Sequence, residues 1–127
     1  MRRAITLIVV LTVLCVGLGL WMDLSQRRVA AGYLEGTERI RELLREGKTD
    51  EAMAEQAYLH ACWEHDARWL NCFVSHHHTR AVALSMVQLA TALEHGYQAE
   101  TWQALDELED ALRDVEGSDF PYPENIL

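Results

Sequence analysis

Six histidines and two cysteines carry the chemistry this chain could do: His60, Cys62, His65, Cys72, His76, His77, His78 and His95, with Cys15 the one further cysteine. Imidazole and thiolate together are the ligand set of zinc and its neighbours. On one uninterrupted helix, Cys62, His65, Cys72 and His76 would fall within about 80° of one another, giving one face two Cys/His pairs. Along the axis, however, His65 and Cys72 would stand about 10.5 Å apart, too far to share an ion whose ligands sit at about 2.0–2.3 Å. Each pair would need completion from another helix or another subunit, with His95, Glu64 or Asp66 as additions. No Cys-x-x-Cys or His-Glu-x-x-His pattern occurs. Cys72 and His76, one turn apart, meet the first requirement of a thiolate–imidazole nucleophile, but the chain has no evident loop-built pocket to hold a substrate. The expectation is therefore no catalysis and no cofactor. Cys62, His65, Cys72 and His76 remain the set that a metal or redox sensor would use. The His76–His78 run invites adventitious nickel or zinc, with His76 expected to bond a backbone or tryptophan partner and His77 and His78 to face solvent.

The elements that must position these residues fit one small domain, for the chain has 127 residues, 7 Gly and only 2 Pro. Ala4 to Met22 is an unbroken uncharged run. As a helix it would be about 28 Å long, close to the roughly 30 Å hydrocarbon layer of a bilayer. Trp21 lies at its end, where an indole favours the headgroup region. Arg2 and Arg3 also make a proper start for a cleaved signal peptide, but Gly17 and Gly19 are the only small pair near a cleavage position, and Leu20, Trp21 and Met22 prolong the apolar run past them. Leu14 before Cys15 disfavours a lipoprotein. An uncleaved anchor is expected, spanning the bilayer from Ala4 to Met22. The clustered arginines of the short tail place the N-terminus in the cytoplasm and residues 23–127 outside the cell membrane. Cys15 and Gly19 form a small-xxx-small pair, which admits a homodimer through the span.

All 20 Asp and Glu follow residue 22, with 9 of the 11 Lys and Arg, so this domain has a net charge of −11. That excludes nucleic acid as a partner, since a polyanion needs a basic face. Asp106, Glu107, Glu109, Asp110, Asp114, Glu116 and Asp119 have only Arg113 nearby in sequence; they read as a solvated face or as a docking surface for a basic partner. Cys62 and Cys72, ten residues apart on one helix, would be too distant for a disulfide and are expected as buried free thiols.

The spacing of Val29, Tyr33, Ile40, Leu43 and Leu44 predicts a helix over about 24–46, continuous with the anchor, weakened at Gly32 and Gly36 and stopped by Gly47. Thr49 and Asp50 offer N-cap chemistry for a helix over about 50–72, with Leu59, Trp63 and Leu70 on its apolar stripe. A further stripe of Val82, Met86, Leu89 and Leu93 is about 80° out of phase with Val74, which predicts a break within 72–78 and a third helix over about 76–95 capped by Ser75, with one continuous helix of about 45 residues as the alternative. After Gly96, a last helix over about 99–116 turns Trp102, Leu105, Leu108, Leu112 and Val115 inward. LLREGKTDEAM and ALEHGYQAETW superpose at a 49-residue offset, pairing Gly47 with Gly96. The fold class expected is all-α, an N-terminal transmembrane helix followed by a small antiparallel bundle of three to four helices, with a solenoid-like stack as the alternative. The tail 117–127, broken by Pro121 and Pro123 yet apolar at Phe120, Tyr122, Ile126 and Leu127, is expected to fold back or to dock into a partner.

These residues resemble a family of small bacterial single-pass membrane proteins, mostly from Gram-positive spore formers, known only as a domain of unknown function. The likeness covers nearly the whole chain: the span, the acidic helical domain, Trp63 and Trp69, His76 and Val82 at the two ends of the family's His-x-Glu-Ile-Asp-x-Ile segment, Ser85, Met86 and Leu89 in its Ser-Leu-x-x-Leu stretch, and the terminal Asn125-Ile126-Leu127. His78, Thr79 and Arg80 stand where that family tends to carry Glu, Ile and Asp, so its acidic cluster is missing. The resemblance implies an anchored helical domain in the cell envelope and no known activity. The function expected is a non-catalytic accessory subunit that binds a membrane or envelope protein. Asp106, Glu107, Glu109, Asp110 and Asp114 are the first candidate contacts; His76, Arg80, Asn125, Ile126 and Leu127 are the secondary ones.

Overall fold

The computed structural model describes residues 1–72 and 74–117. They form α1 (Arg2–Arg45), α2 (Thr49–Leu70), α3 (His76–His95) and α4 (Gln98–Gly117), the all-α architecture expected. Phe73 and the tail, with the readings made for Asn125, Ile126 and Leu127, lie outside the described residues.

α1 is a single helix of 44 residues serving two roles. Its first half, through Trp21, is exposed on all sides and is long and apolar enough to cross a membrane. Its second half buries Gln26, Ala30, Tyr33, Gly36, Thr37, Ile40 and Arg41, the three-to-four spacing of one helix face. Gly36 is needed there for contact rather than for turning: a Cβ at this position would lie 2.6 Å from a methyl of Leu59 on α2. Gly32 has open space around it.

The two glycine turns are the same device twice. At the first, Lys48 N–H bonds the Leu43 carbonyl at 2.8 Å and Gly47 N–H that of Leu44 at 3.1 Å; at the second, Tyr97 N–H bonds Ala92 at 3.0 Å and Gly96 N–H bonds Leu93 at 3.3 Å. This is the Schellman pattern, which needs a left-handed residue after the helix, and Gly47 and Gly96 have φ of 76° and 71°. Because α2 restarts at once, its N-cap is Lys48, with no side-chain bond, and not Thr49 or Asp50, which fall inside the helix. Asp50 still sits in the first turn, where a carboxylate favours the helix dipole. The break between α2 and α3 occurs where the apolar stripe slips phase, and Ser75 Oγ accepts His77 N–H at 3.2 Å as its cap.

α1 packs against α2 and α4, and α3 against the same two, while the diagonal pairs do not meet. Tyr33 pairs with Asp66 and Arg39 with Glu55; Trp63 pairs with Thr79 and Gln56 with Met86; Gln26 pairs with Val115 and Arg41 with Asp106. In each pairing the numbers run in opposite directions, so all neighbours are antiparallel. Closure of α4 onto α1 makes a four-helix bundle and excludes an open solenoid-like stack. Both glycine turns lie at the end far from the apolar half of α1, and the α2–α3 connection lies at the near end.

The core runs through Ile40, Leu59, Trp63, Leu70, Val82, Met86, Leu89, Leu105, Leu108, Leu112 and Val115. Trp63, 1% exposed, ties three helices together. Its ring meets Tyr33 edge-on at 5.1 Å and its indole N–H donates to the Thr79 carbonyl at 3.3 Å. Trp102 is not part of this core. It is 37% exposed at the rim, where the guanidinium of Arg45 lies over its ring at 5.9 Å.

Candidate functional site

The α4 stripe of Thr101, Ala104, Leu105, Leu108, Ala111, Leu112 and Val115 faces inward, which leaves the acidic residues on its flanks and outer surface. The structure divides them. Asp106 and Glu109 turn toward α1, where the guanidinium of Arg41 meets each at 2.7 Å and Glu38 at 3.3 Å. Arg113 adds a second contact to Glu109 at 2.8 Å, and Arg45 reaches Glu38 at 3.7 Å. Arg41 is 9% exposed, so its charge is held in a part-buried network. Hydrogen bonds from Arg113 and then Arg41 hold the Glu109 carboxyl below its usual range. Burial alone would lower the Arg41 guanidinium, but the bonds to Glu109 and Glu38 outweigh it and raise it.

The reading that only Arg113 offsets this acidic stretch is therefore corrected, since Arg41 does so from 65 residues away in sequence. Asp106 and Glu109 help fasten α4 to α1. Glu107, Asp110 and Asp114 are exposed and form no ion pair among the described residues. A signal for Arg41 did exist in sequence: it directly follows Ile40 and lies eight residues after Tyr33, on the inward stripe, where an unpaired arginine is rare.

The histidines and cysteines are dispersed. Cys62 is half-buried at the edge of the core and His65 is exposed on α2. Cys72 is exposed beyond the end of α2, its thiol 3.9 Å from the Arg68 carbonyl, so it is not the buried thiol expected. His76 opens α3, so the helix carrying Cys62 and His65 does not reach it. Among the described residues no three His, Cys, Asp or Glu side chains come close enough to hold one metal ion. The indole of Trp63 bonds the carbonyl of Thr79 rather than any atom of His76.

Other polar groups are spent inside the bundle. Tyr33 donates to Asp66 at 2.6 Å, and burial together with this bond raises its phenol above the usual range. The Gln56 amide donates to the Met86 carbonyl at 2.9 Å, and that of Gln26 to the Val115 carbonyl. Such bonds fix register, because a slipped helix would leave each group buried without a partner.

His76 and Arg80 do come together. They line an open groove of about 360 Å³ between α2 and α3, facing Arg68 and Asn71. A second groove, about 370 Å³, lies between the two glycine turns at the opposite end, walled by Leu44, Leu93 and Trp102.

A family model described as a domain of unknown function, DUF4363, matches residues 25–126. The chain belongs to this family. The match begins at Ser25, one residue before the first buried residue of α1, so it spans the bundle and leaves out the apolar half of that helix. No curated protein and no solved structure matches the chain.

Proposed function

We propose that this is a membrane-anchored, non-catalytic accessory protein, held by the first half of α1 with its N-terminus in the cytoplasm and its four-helix domain outside the cell membrane. The domain binds a membrane or envelope protein through the exposed carboxylates of α4. The observation that carries this reading is the division of the acidic residues. Asp106 and Glu109 are consumed by Arg41, while Glu107, Asp110 and Asp114 meet no cation among the described residues and project from a helix already anchored on its inner side. A rigid, charged face of this kind suits a basic partner. Confinement to the bilayer raises its effective concentration near any co-resident protein, so a modest interface suffices. Support for the anchor comes from the bare apolar half of α1 and its continuity with the bundle, since the same helix supplies span and wall.

Two measurements test the reading. A membrane-impermeant maleimide applied to intact cells should label exposed Cys72, and failure to do so before lysis, with labelling afterwards, would reverse the topology. Extraction of the full-length protein in mild detergent should retain one membrane partner at stoichiometric level. Reversing Glu107, Asp110 and Asp114 to lysine should release that partner without unfolding the domain. A stoichiometric transition metal lost on replacing Cys62 and Cys72, with no partner, would favour a metal or redox sensor instead.

A further inference from the structure

The nine cations of the acidic domain are unequally used. Arg27, Arg39, Arg41, Arg45, Lys48 and Arg113 each lie within 4.0 Å of a carboxylate. Arg28, Arg68 and Arg80 meet none among the described residues, although acidic residues outnumber basic ones 20 to 11 in the chain. All three lie in the half of the bundle next to the apolar part of α1. Arg28 follows Met22 by six residues, Arg68 lies two residues before the end of α2, and Arg80 lies in the second turn of α3.

Arg68 and Arg80 share one groove with Asn71 and His76. Asn71 Oδ1 accepts the Thr79 hydroxyl at 2.6 Å, which fixes the amide and leaves its NH₂ as a donor. Among the described residues the groove has one carboxylate, Glu64, whose Oε1 lies 3.6 Å from His60 Nε2. The groove thus presents two guanidiniums, an oriented amide and an imidazole beside one carboxylate among the described residues. Guanidinium forks bind phosphate oxygens bidentately and are only weakly hydrated.

Height above the apolar segment can be read from the contacts. Tyr33 is 11 residues past Met22, about 16 Å along the helix, and touches Trp63, which bonds Thr79. Arg68 is five residues further along descending α2, so its backbone lies roughly 9 Å beyond Met22. By the same contacts Arg80, next to Thr79, stands about level with Tyr33, so the groove lies roughly 9–16 Å beyond Met22, its lower edge bordering a headgroup layer roughly 5–8 Å deep.

We infer that the α2–α3 groove is a binding site for a phosphate group, held by Arg68 and Arg80 with Asn71 and His76, at the face of the domain that looks toward the bilayer. The phosphate belongs either to an anionic phospholipid beside the span or to a soluble phosphate. This inference rests on the anchor proposed above and not on the α4 docking face.

The test uses the full-length protein in detergent micelles, with phosphatidylglycerol, phosphate-free diacylglycerol and inorganic phosphate as separate probes. Binding is followed by native mass spectrometry for the lipids and by calorimetry for the ion. One equivalent of a phosphate-bearing probe should bind, and diacylglycerol should not. Arg68→Gln and Arg80→Gln should each weaken binding about tenfold, as expected for loss of a charge-assisted bond, while Arg39→Gln leaves it unchanged. Retention of phosphatidylglycerol alone assigns the lipid source; binding of inorganic phosphate without lipid assigns the soluble one. Binding of neither, equal retention of diacylglycerol, or indifference to both substitutions overturns the site. Carbonate washing of native membranes is run in parallel. Protein that stays in the pellet but binds no phosphate defeats the site alone, whereas protein released by carbonate defeats the anchor.

Discussion

Replacing Arg41 with methionine should loosen α4 from α1 without emptying the core, because methionine keeps the aliphatic stem and removes only the guanidinium. Three carboxylates then lose their shared cation: Asp106 and Glu109, each at 2.7 Å, and Glu38 at 3.3 Å. Breaking a fully buried pair costs about 3–5 kcal/mol and an exposed one about 0.2–1 kcal/mol. The side chains here are 11% exposed for Arg41, 26% for Glu109 and 73% for Asp106, which places the network between those limits. A loss of about 2 kcal/mol follows, or about 10 °C in Tm for a domain of roughly a hundred residues. The assay is thermal unfolding of the full-length protein in detergent by far-ultraviolet circular dichroism, run as a cycle of Arg41→Met, Glu109→Gln and the double variant. The double variant should be clearly less destabilised than the two single effects added together. The sign of the pH dependence is set by Glu109. Its carboxyl is held below the ordinary 4.5, so its contribution is complete above that value and is lost as pH falls through the lower folded value. The Tm difference between wild type and Arg41→Met should therefore shrink on acidification below about pH 4. Strict additivity in the cycle, or a Tm within about 2 °C of wild type for Arg41→Met, would refute the claim that this network fastens α4.

Three further outcomes follow from the packing. Gly36→Ala should destabilise the bundle by about 1–2 kcal/mol through its collision with Leu59, whereas Gly32→Ala, with open space around it, should stabilise it by up to about 1 kcal/mol; chemical denaturation of both variants checks the contrast. Gly47→Ala and Gly96→Ala should each lower stability by about 1–2 kcal/mol, because both positions hold positive φ, and equal losses at the two sites would agree with the shared turn geometry. Exposed Cys72 should react with a thiol reagent many times faster than half-buried Cys62, and comparable rates measured by mass spectrometry on the native protein would contradict the packing of α2.

Much of the architecture is legible in the amino-acid sequence because it rests on local chemistry. Gly47 and Gly96 each follow an apolar helix and require a left-handed turn, so both helix ends and the 49-residue correspondence can be read from the residues themselves. The phase slip between Val74 and Val82 marks the α2–α3 break because a continuous helix cannot face two directions at once. Other features depend on which helix lies beside which. Periodicity puts Trp102 on the inner half of α4, but in the first turns of that helix its ring reaches the rim of the bundle, beside Arg45 of α1. Thr49 and Asp50 are good capping residues, displaced from the cap because the Schellman turn leaves no spare residue. The candidate site is legible only in part. A count of charges along α4 finds the acidic face, but cannot tell the carboxylates that bind Arg41 from those that stay free, since that contact spans 65 residues. The pairing of Arg68 with Arg80 across one groove is hidden for the same reason: it needs the antiparallel register of α2 and α3.

The most direct test of the docking claim is photo-crosslinking in native membranes, with a benzoylphenylalanine placed at Asp110 or Asp114 on the outer face of α4 and, as a control, at exposed Tyr58 on α2. The account predicts that both α4 positions capture the same membrane protein and that Tyr58 captures none of it. Capture from Tyr58 alone, or no capture from either α4 position in membranes where the protein is intact and anchored, would contradict it.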